Sequence, residues 1–247
     1  LHPNELSFGK LILAIPIDTS IIIAVGSGTI NDISRFLSYK LGIPYVIVGT
    51  APSMDGYASV VSPLIRDGVK VTYDAAYPLA IICDIDIMKR APMQMLQAGL
   101  GDILGKYTAL ADWHVANILN DEYFCLEVEK LVMSTLKKCE EAAAGVTSRD
   151  FKTVKNITEA LILSGIAIGM VGASRPASGG EHYMSHCFEM MFMNSGNNTK
   201  WLHGNTVGVG VGIVAYAYKY ARDIDINEML EKGDYLHLDK NKWMKNI

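Results

Sequence analysis

Four side chains in this sequence have the types and spacing that hold a metal ion: Asp102, His182, His186 and His203. Asp102 sits in Ala98–Lys106, an apolar stretch with helical spacing that also carries Gly99, Gly101 and Gly105. Each such glycine costs a helix about 1 kcal/mol relative to alanine, which is tolerable where another group must approach the backbone closely. The plain alternative is an Asp102–Lys106 (i, i+4) surface pair, worth about 0.3–0.5 kcal/mol. His182 and His186 are four apart, so a helix puts both on one face at metal-ligand spacing. The order H-E-x-x-H of the zincin proteases is absent. His203 follows a polar loop and opens a second glycine-rich helix. Taken singly, each residue reads as well as a surface pair, a polar helix face or a cap. Together, a carboxylate and imidazoles from three helices form an N/O donor set with open positions, the plan of a catalytic divalent ion. Such an ion polarises a carbonyl oxygen or lowers the pKa of a bound alcohol. Spacing alone does not decide between His182 and His186.

Two further motifs point to a nucleotide. Gly26-Ser27-Gly28-Thr29-Ile30-Asn31-Asp32 lies between an apolar run and a helical pattern. Its glycines permit a tight turn, and the helix N-terminus behind it suits a pyrophosphate. It is neither a complete G-x-G-x-x-G nor a P-loop, so an ordinary strand-to-helix turn is an equal reading. The segment Thr50 to Ser59, TAPSMDGYAS, follows the next apolar run with four hydroxyl residues and Asp55. Ligands of open α/β sheets bind at that end of the strands.

The elements that must position these groups are regular from Ile21 onward. Ile21–Val25 reads as a strand buried on both faces, Ile30–Leu41 as a helix closed by Gly42, and Tyr45–Val48 as a second buried strand. That is a parallel βαβ unit. Val60–Tyr73 reads as a hairpin turning at Arg66-Asp67-Gly68, and Leu79–Cys83 as another buried strand. From about Ala91 helical patterns run to Tyr220, with breaks near Gly145, at Ser174–Gly180 and at Asn194–Lys200. The expected fold is an α/β dinucleotide-binding domain (residues 1–90) followed by an all-α metal- and substrate-binding domain (residues 91–247). Residues 1–20 show no clear opening element, and the tail Arg222–Ile247 is polar and weakly patterned.

Composition narrows the class. Of 247 residues, 50% are hydrophobic and 19% charged, enough for a sizeable core or two packed subdomains. The net charge is −4 with no basic patch, which argues against nucleic acid. No signal peptide is visible. Leu161–Ser174 and Gly204–Tyr218 are too short or too glycine-rich for membrane spans and read as buried helices. Cys83, Cys125, Cys139 and Cys187 are scattered and read as reduced core thiols of a cytoplasmic protein. A nucleotide-binding unit ahead of a metal site suggests hydride transfer.

These stretches resemble a known family. GSGTIND (26–32), TAPSMDGYAS (50–59), GLGDILGK (99–106), SRPASGGEHYMSH (174–186) and LHG (202–204) occur in the order found in the iron-containing alcohol dehydrogenase and dehydroquinate synthase superfamily. SMDGYAS and RPASGGEHYMSH look most like its glycerol-1-phosphate dehydrogenase branch. The resemblance implies a two-domain oxidoreductase, a homo-oligomer, that interconverts dihydroxyacetone phosphate and sn-glycerol 1-phosphate with NAD or NADP and one divalent ion, Zn²⁺ foremost, Ni²⁺ or Fe²⁺ as alternatives. It implies that Gly28, Thr29, Ile30, Asn31, Asp32, Thr50, Ala51, Pro52, Ser53 and Ser59 contact the cofactor. Asp55 would meet the substrate, and Asp102 would hold metal and touch substrate. His182 and His203 would hold the metal, while His186 would face the substrate and pass a proton. Arg175 is a candidate partner for the substrate phosphate, with a structural role as its alternative. Family members carry a strand–helix–strand region before the GSGT turn, mostly missing or reduced here, and fuller C-terminal helices. The rival readings are a glycerol or other polyol dehydrogenase, a dehydroquinate synthase, whose site needs more basic residues than are found, and a truncated, non-catalytic metal-binding scaffold.

Overall fold

The computed structural model describes residues 2–195 and 201–223. A three-stranded parallel sheet, order β1-β2-β5, forms from β1 (Ile22–Gly26), β2 (Tyr45–Gly49) and β5 (Ala80–Cys83). Ile22 pairs with Tyr45, and Val46 with Ala80. Helix α2 (Gly28–Leu41) makes the β1–β2 crossover and ends where Gly42 turns left-handed at φ 67°. The hairpin of β3 (Val61–Arg66) and β4 (Val69–Asp74) turns at Asp67 and Gly68, φ 51° and 78°. Positive φ at both turn residues matches the right-handed strand twist and selects Asp-Gly. After α3 (Ile85–Met88) the chain is helical: α4 (Met93–Asn120), α5 (Leu126–Ala142), α6 (Phe151–Val171), α7 (Gly180–Asn194) and α8 (His203–Arg222). Leu96, Ile103, Leu110, Trp113, Leu136 and Ile157 centre the core that α4, α5 and α6 share.

Several expectations need correction. Residues 1–20 do hold an element, α1 (Glu5–Ala14), whose N-cap Asn4 accepts a hydrogen bond from Ser7 N–H at 3.1 Å. Of the three strands of the parallel sheet, only β2 has no exposed residue, alternating buried and half-buried positions. Ile23 and Val25 of β1 and Ile82 of β5 are exposed, because no described element covers that face of the sheet. The helical run also breaks at residues 121–125, where Asp121 adopts φ 53°. The expected break at Asn194–Lys200 and the tail beyond residue 223 lie largely outside the described residues. Of the two apolar stretches, α8 is buried only on the face carrying Gly204, Thr206, Val207 and Gly210, while Val209, Tyr216 and Tyr220 are exposed. Helix α6 is long and apolar enough to cross a membrane, but its Val154, Ile157, Ala160 and Leu161 are buried in the shared core. All four cysteines are free thiols. Only Cys139 is fully buried, and Cys187 is exposed, since it lies on the outer face of α7.

Candidate functional site

Glycines explain how the helices come close enough to build a site. A Cβ on Gly99 would overlap the Pro52 carbonyl, one on Gly101 the Gly204 carbonyl, and one on Gly204 the Ala98 carbonyl. Helices α4 and α8 therefore cross backbone against backbone, next to Asp102 and His203. The loop Ala51–Ser59 is pressed against α4 by the same means.

Asp102 is fully buried. Its Oδ1 accepts a hydrogen bond from Lys106 Nζ at 2.8 Å and stands 3.6 Å from His182 Nε2. Its Oδ2 accepts from the Asp55 N–H at 3.0 Å. Burial by itself would raise the Asp102 pKa, but Lys106 and then His182 hold the carboxyl well below the usual range. The (i, i+4) pair foreseen at the surface is thus real but interior. Lys106 is 1% exposed and also reaches Asp55 Oδ2 at 2.7 Å. The Ser164 hydroxyl donates to the same oxygen at 3.1 Å. Burial would lower the Lys106 pKa, yet the two carboxylates carry it above the ordinary lysine value.

One histidine faces this carboxylate, and the other two follow it in a row of rings. His182 is buried, and His203 lies beside it with ring centroids 5.3 Å apart. The exposed His186 stacks on the other side of His203 at 5.4 Å. Each inner imidazole has a carboxylate at Nδ1: Glu181 Oε1 at 2.7 Å from His182, and Glu189 Oε1 at 2.9 Å from His203. Glu189 also lies 3.5 Å from His186 Nδ1 and pairs with Lys70 of β4 at 2.7 Å. Burial opposes its ionisation, but His186, His203 and Lys70 hold Glu189 far below the usual range. Two groups of metal-type donors result, Asp55–Asp102–His182 and His186–Glu189–His203, with the ligand atoms of each within 4.8 Å of one another. The expected set Asp102, His182 and His203 spans both groups. Its donor chemistry, one buried carboxylate and two imidazoles whose Nδ1 atoms are already engaged, fits a divalent ion.

Sequence reading did not find Glu181, Glu189 or Lys70. Glu181 is next to His182 and Glu189 is three residues from His186, so adjacency was a usable signal for both. Lys70 carries none, because only the fold brings the hairpin to α7.

The two nucleotide-type motifs form one unit. Ser27 Oγ and Ser53 Oγ are 2.7 Å apart, Asn31 Nδ2 donates to the Gly56 carbonyl at 3.1 Å, and Tyr57 O–H donates to the Ala51 carbonyl at 2.7 Å. The buried guanidinium of Arg35 donates to the Gly56 and Val61 carbonyls and faces Asp32 at 3.4 Å. Burial pushes Asp32 up to about 7, against the opposing pull of Arg35. Asn31, Ala51, Pro52, Ser53 and Ser59 are buried in this unit, whereas Gly28, Thr29, Ile30 and Thr50 are partly open. Arg175 is held by Glu122, Nε to Oε1 at 2.6 Å and Nη2 to Oε2 at 2.8 Å, which is the structural of its two readings.

Beside this geometry, residues 6–92 match the family model described as iron-containing alcohol dehydrogenase. The chain is also similar to the glycerol-1-phosphate dehydrogenases (NAD(P)+). It is 45% identical to that of Halalkalibacterium halodurans over 84% of this chain and 52% of the relative. It is 38% identical to that of Sulfolobus acidocaldarius over 76% of this chain and 52% of the relative. The chain spans about half the length of these curated relatives. Among solved structures, glycerol dehydrogenase from Schizosaccharomyces pombe shares the fold with a TM-score of 0.68, at 20% identity, over 84% of this chain and 53% of that one.

Proposed function

We propose that the protein is a metal-dependent, NAD(P)-linked oxidoreductase that interconverts dihydroxyacetone phosphate and sn-glycerol 1-phosphate. The observation that supports this reading is His182 standing beside both the buried Asp102 carboxylate and the His203 ring, in a chain 45% identical to a glycerol-1-phosphate dehydrogenase. In this reading Asp102, His182 and His203 hold the ion, with Zn²⁺ first in order and Ni²⁺ or Fe²⁺ as alternatives. When bound, the ion supplies Lewis acidity to the ketone oxygen of the substrate.

The chain's own residues do the rest. The partly open first turn of α2, Gly28 to Ile30, offers helix N–H groups to the cofactor pyrophosphate, and Thr50 flanks it. The contacts of Asn31, Asp32, Ala51, Pro52, Ser53 and Ser59 belong to the same unit and shape it from inside. Asp55 faces the substrate, its carboxylate paired with Lys106 at 2.7 Å. His186, exposed at the rim and stacked on His203, relays the proton. The four free cysteines support a cytoplasmic setting.

Oxidation of NADH and NADPH with dihydroxyacetone phosphate, before and after Zn²⁺ or Ni²⁺ loading, tests the proposal. Turnover abolished by a chelator and restored by metal is the expected result. Faster turnover of a phosphate-free polyol would select the polyol dehydrogenase reading, and inactivity of the metal-loaded protein would refute the enzyme.

A further inference from the structure

We propose that Glu181 is the positioning residue of the metal site, holding the proton of His182 on Nδ1 and, through its charge, strengthening Nε2 as the free donor. The inference rests on His182 being a metal ligand. A buried carboxylate is costly unless its oxygens are hydrogen-bonded. Glu181 is fully buried, with three partners: the Gly179 N–H at 2.8 Å, the Thr108 hydroxyl at 2.6 Å and His182 Nδ1 at 2.7 Å. An ionised carboxylate only accepts, so Nδ1 must carry the imidazole proton and Nε2 the lone pair. Nε2 is the atom turned to Asp102, at 3.6 Å. A carboxylate behind a metal-binding imidazole both orients the ring and raises its basicity.

The surroundings are shaped to admit this residue. A Cβ on Gly105 would stand 3.2 Å from Glu181 Cγ and 2.9 Å from Val207 Cγ1. A Cβ on Gly210 would stand 2.6 Å from the Glu181 carbonyl oxygen. One glycine from each crossing helix thus opens the slot that Glu181 fills. Glu189 bears on His203 in the same way, but it is shared with His186 and Lys70, whereas Glu181 serves His182 alone among the imidazoles.

Glu181→Gln removes the charge while keeping the shape. Its amide oxygen can accept from Nδ1 and from Gly179. Its NH₂ can donate to Thr108 Oγ1, which then gives its own proton to the Gly105 carbonyl, 2.9 Å away. Zn²⁺ affinity of the full chain is measured by chelator competition, with visible spectra of the Co²⁺-loaded protein and the melting temperature of the metal-free form. The expected result for Glu181→Gln is a loss of about 10-fold or more in Zn²⁺ affinity, altered Co²⁺ bands and an unchanged metal-free melting temperature. Glu181→Ala should lose more. Parental Zn²⁺ affinity in Glu181→Gln would overturn the assignment, whether or not the alanine variant folds. His182→Ala separates the two levels: parental affinity there would refute His182 as a ligand, while lost affinity there beside a parental Gln variant would refute Glu181 alone.

Discussion

Gly101→Ala sets helix propensity against close packing, and the structure decides the winner. In an isolated helix the change is favourable by about 1 kcal/mol. At the α4–α8 crossing the new Cβ would overlap the Gly204 carbonyl oxygen and stand 3.3 Å from its carbon and 3.4 Å from Gly208 Cα. Every one of these neighbours is backbone, so no rotamer change relieves the overlap. Non-bonded heavy atoms settle near 3.5–4.0 Å, so the helices must separate by roughly 1 Å. Overpacking of this kind costs about 1–3 kcal/mol, and a rigid neighbour puts it at the upper end. The expected net effect is a loss of about 1–2 kcal/mol in urea unfolding of the metal-free protein. Because Asp102 and His203 adjoin the two glycines, Zn²⁺ affinity should fall with it. Gly212→Ala is the internal control. It lies in α8, the partner of α4 at the crossing, with nothing within 4 Å of its Cβ, so it should gain about 0.5–1 kcal/mol. Gly208→Ala, 3.3 Å from Gly101 Cα, should fall between them. If Gly101→Ala matched Gly212→Ala in stability and kept parental Zn²⁺ affinity, the crossing would not be what holds the ligands together.

His203→Ala should lose both bound metal and turnover, while His186→Ala should keep most of its metal and lose turnover; equal metal loss in the two, read by elemental analysis, would put His186 on the ion. Arg175→Ala should cost at most about 1 kcal/mol of stability and leave the KM for dihydroxyacetone phosphate unchanged, because the guanidinium is committed to Glu122; a large rise in KM would return Arg175 to the substrate. Burial pushes the thiols of Cys83 and Cys139 up to about 11 and about 12. Backbone N–H groups at the start of α5, Val128 foremost, hold that of Cys125 below the usual thiol value. Alkylation at pH 8 followed by peptide mass mapping should therefore label Cys125 and the exposed Cys187 first, with Cys139 labelled only on unfolding; early labelling of Cys139 would contradict the core.

The βαβ unit and the hairpin were readable because their signals are local: an apolar run, a glycine turn, an Asp-Gly pair. The exposed faces of β1 and β5 were not, because a continuous apolar run states that a strand is apolar and says nothing about what covers it. Asn4 ahead of Glu5 was a sufficient helix start, but α1 is short and lacks clear periodicity, so its cap went unread. The break at Asp121 was missed for a similar reason, since the residue adopts a left-handed conformation without the glycine that usually marks one.

The site separates the two kinds of information more sharply. Ligand types can be counted along a chain, but their meeting depends on backbones approaching across more than a hundred residues. In this protein that approach is itself written in residues, at Gly99, Gly101 and Gly105 of α4 and at Gly204, Gly208 and Gly210 of α8. These glycines lower helix propensity in exchange for contact distance, and Asp102 follows Gly101 as Gly204 follows His203. Lys106 shows what such spacing leaves unsaid. An aspartate and a lysine four apart describe the same weak pair on any helix face. Only burial turns that pair into the group that joins Asp102 to Asp55 inside the protein and holds the Asp102 carboxyl below its usual range. Whether a charged pair is decoration or part of a centre is decided by what packs over it, and at this crossing it is the absence of side chains on six glycines that lets anything pack over it at all.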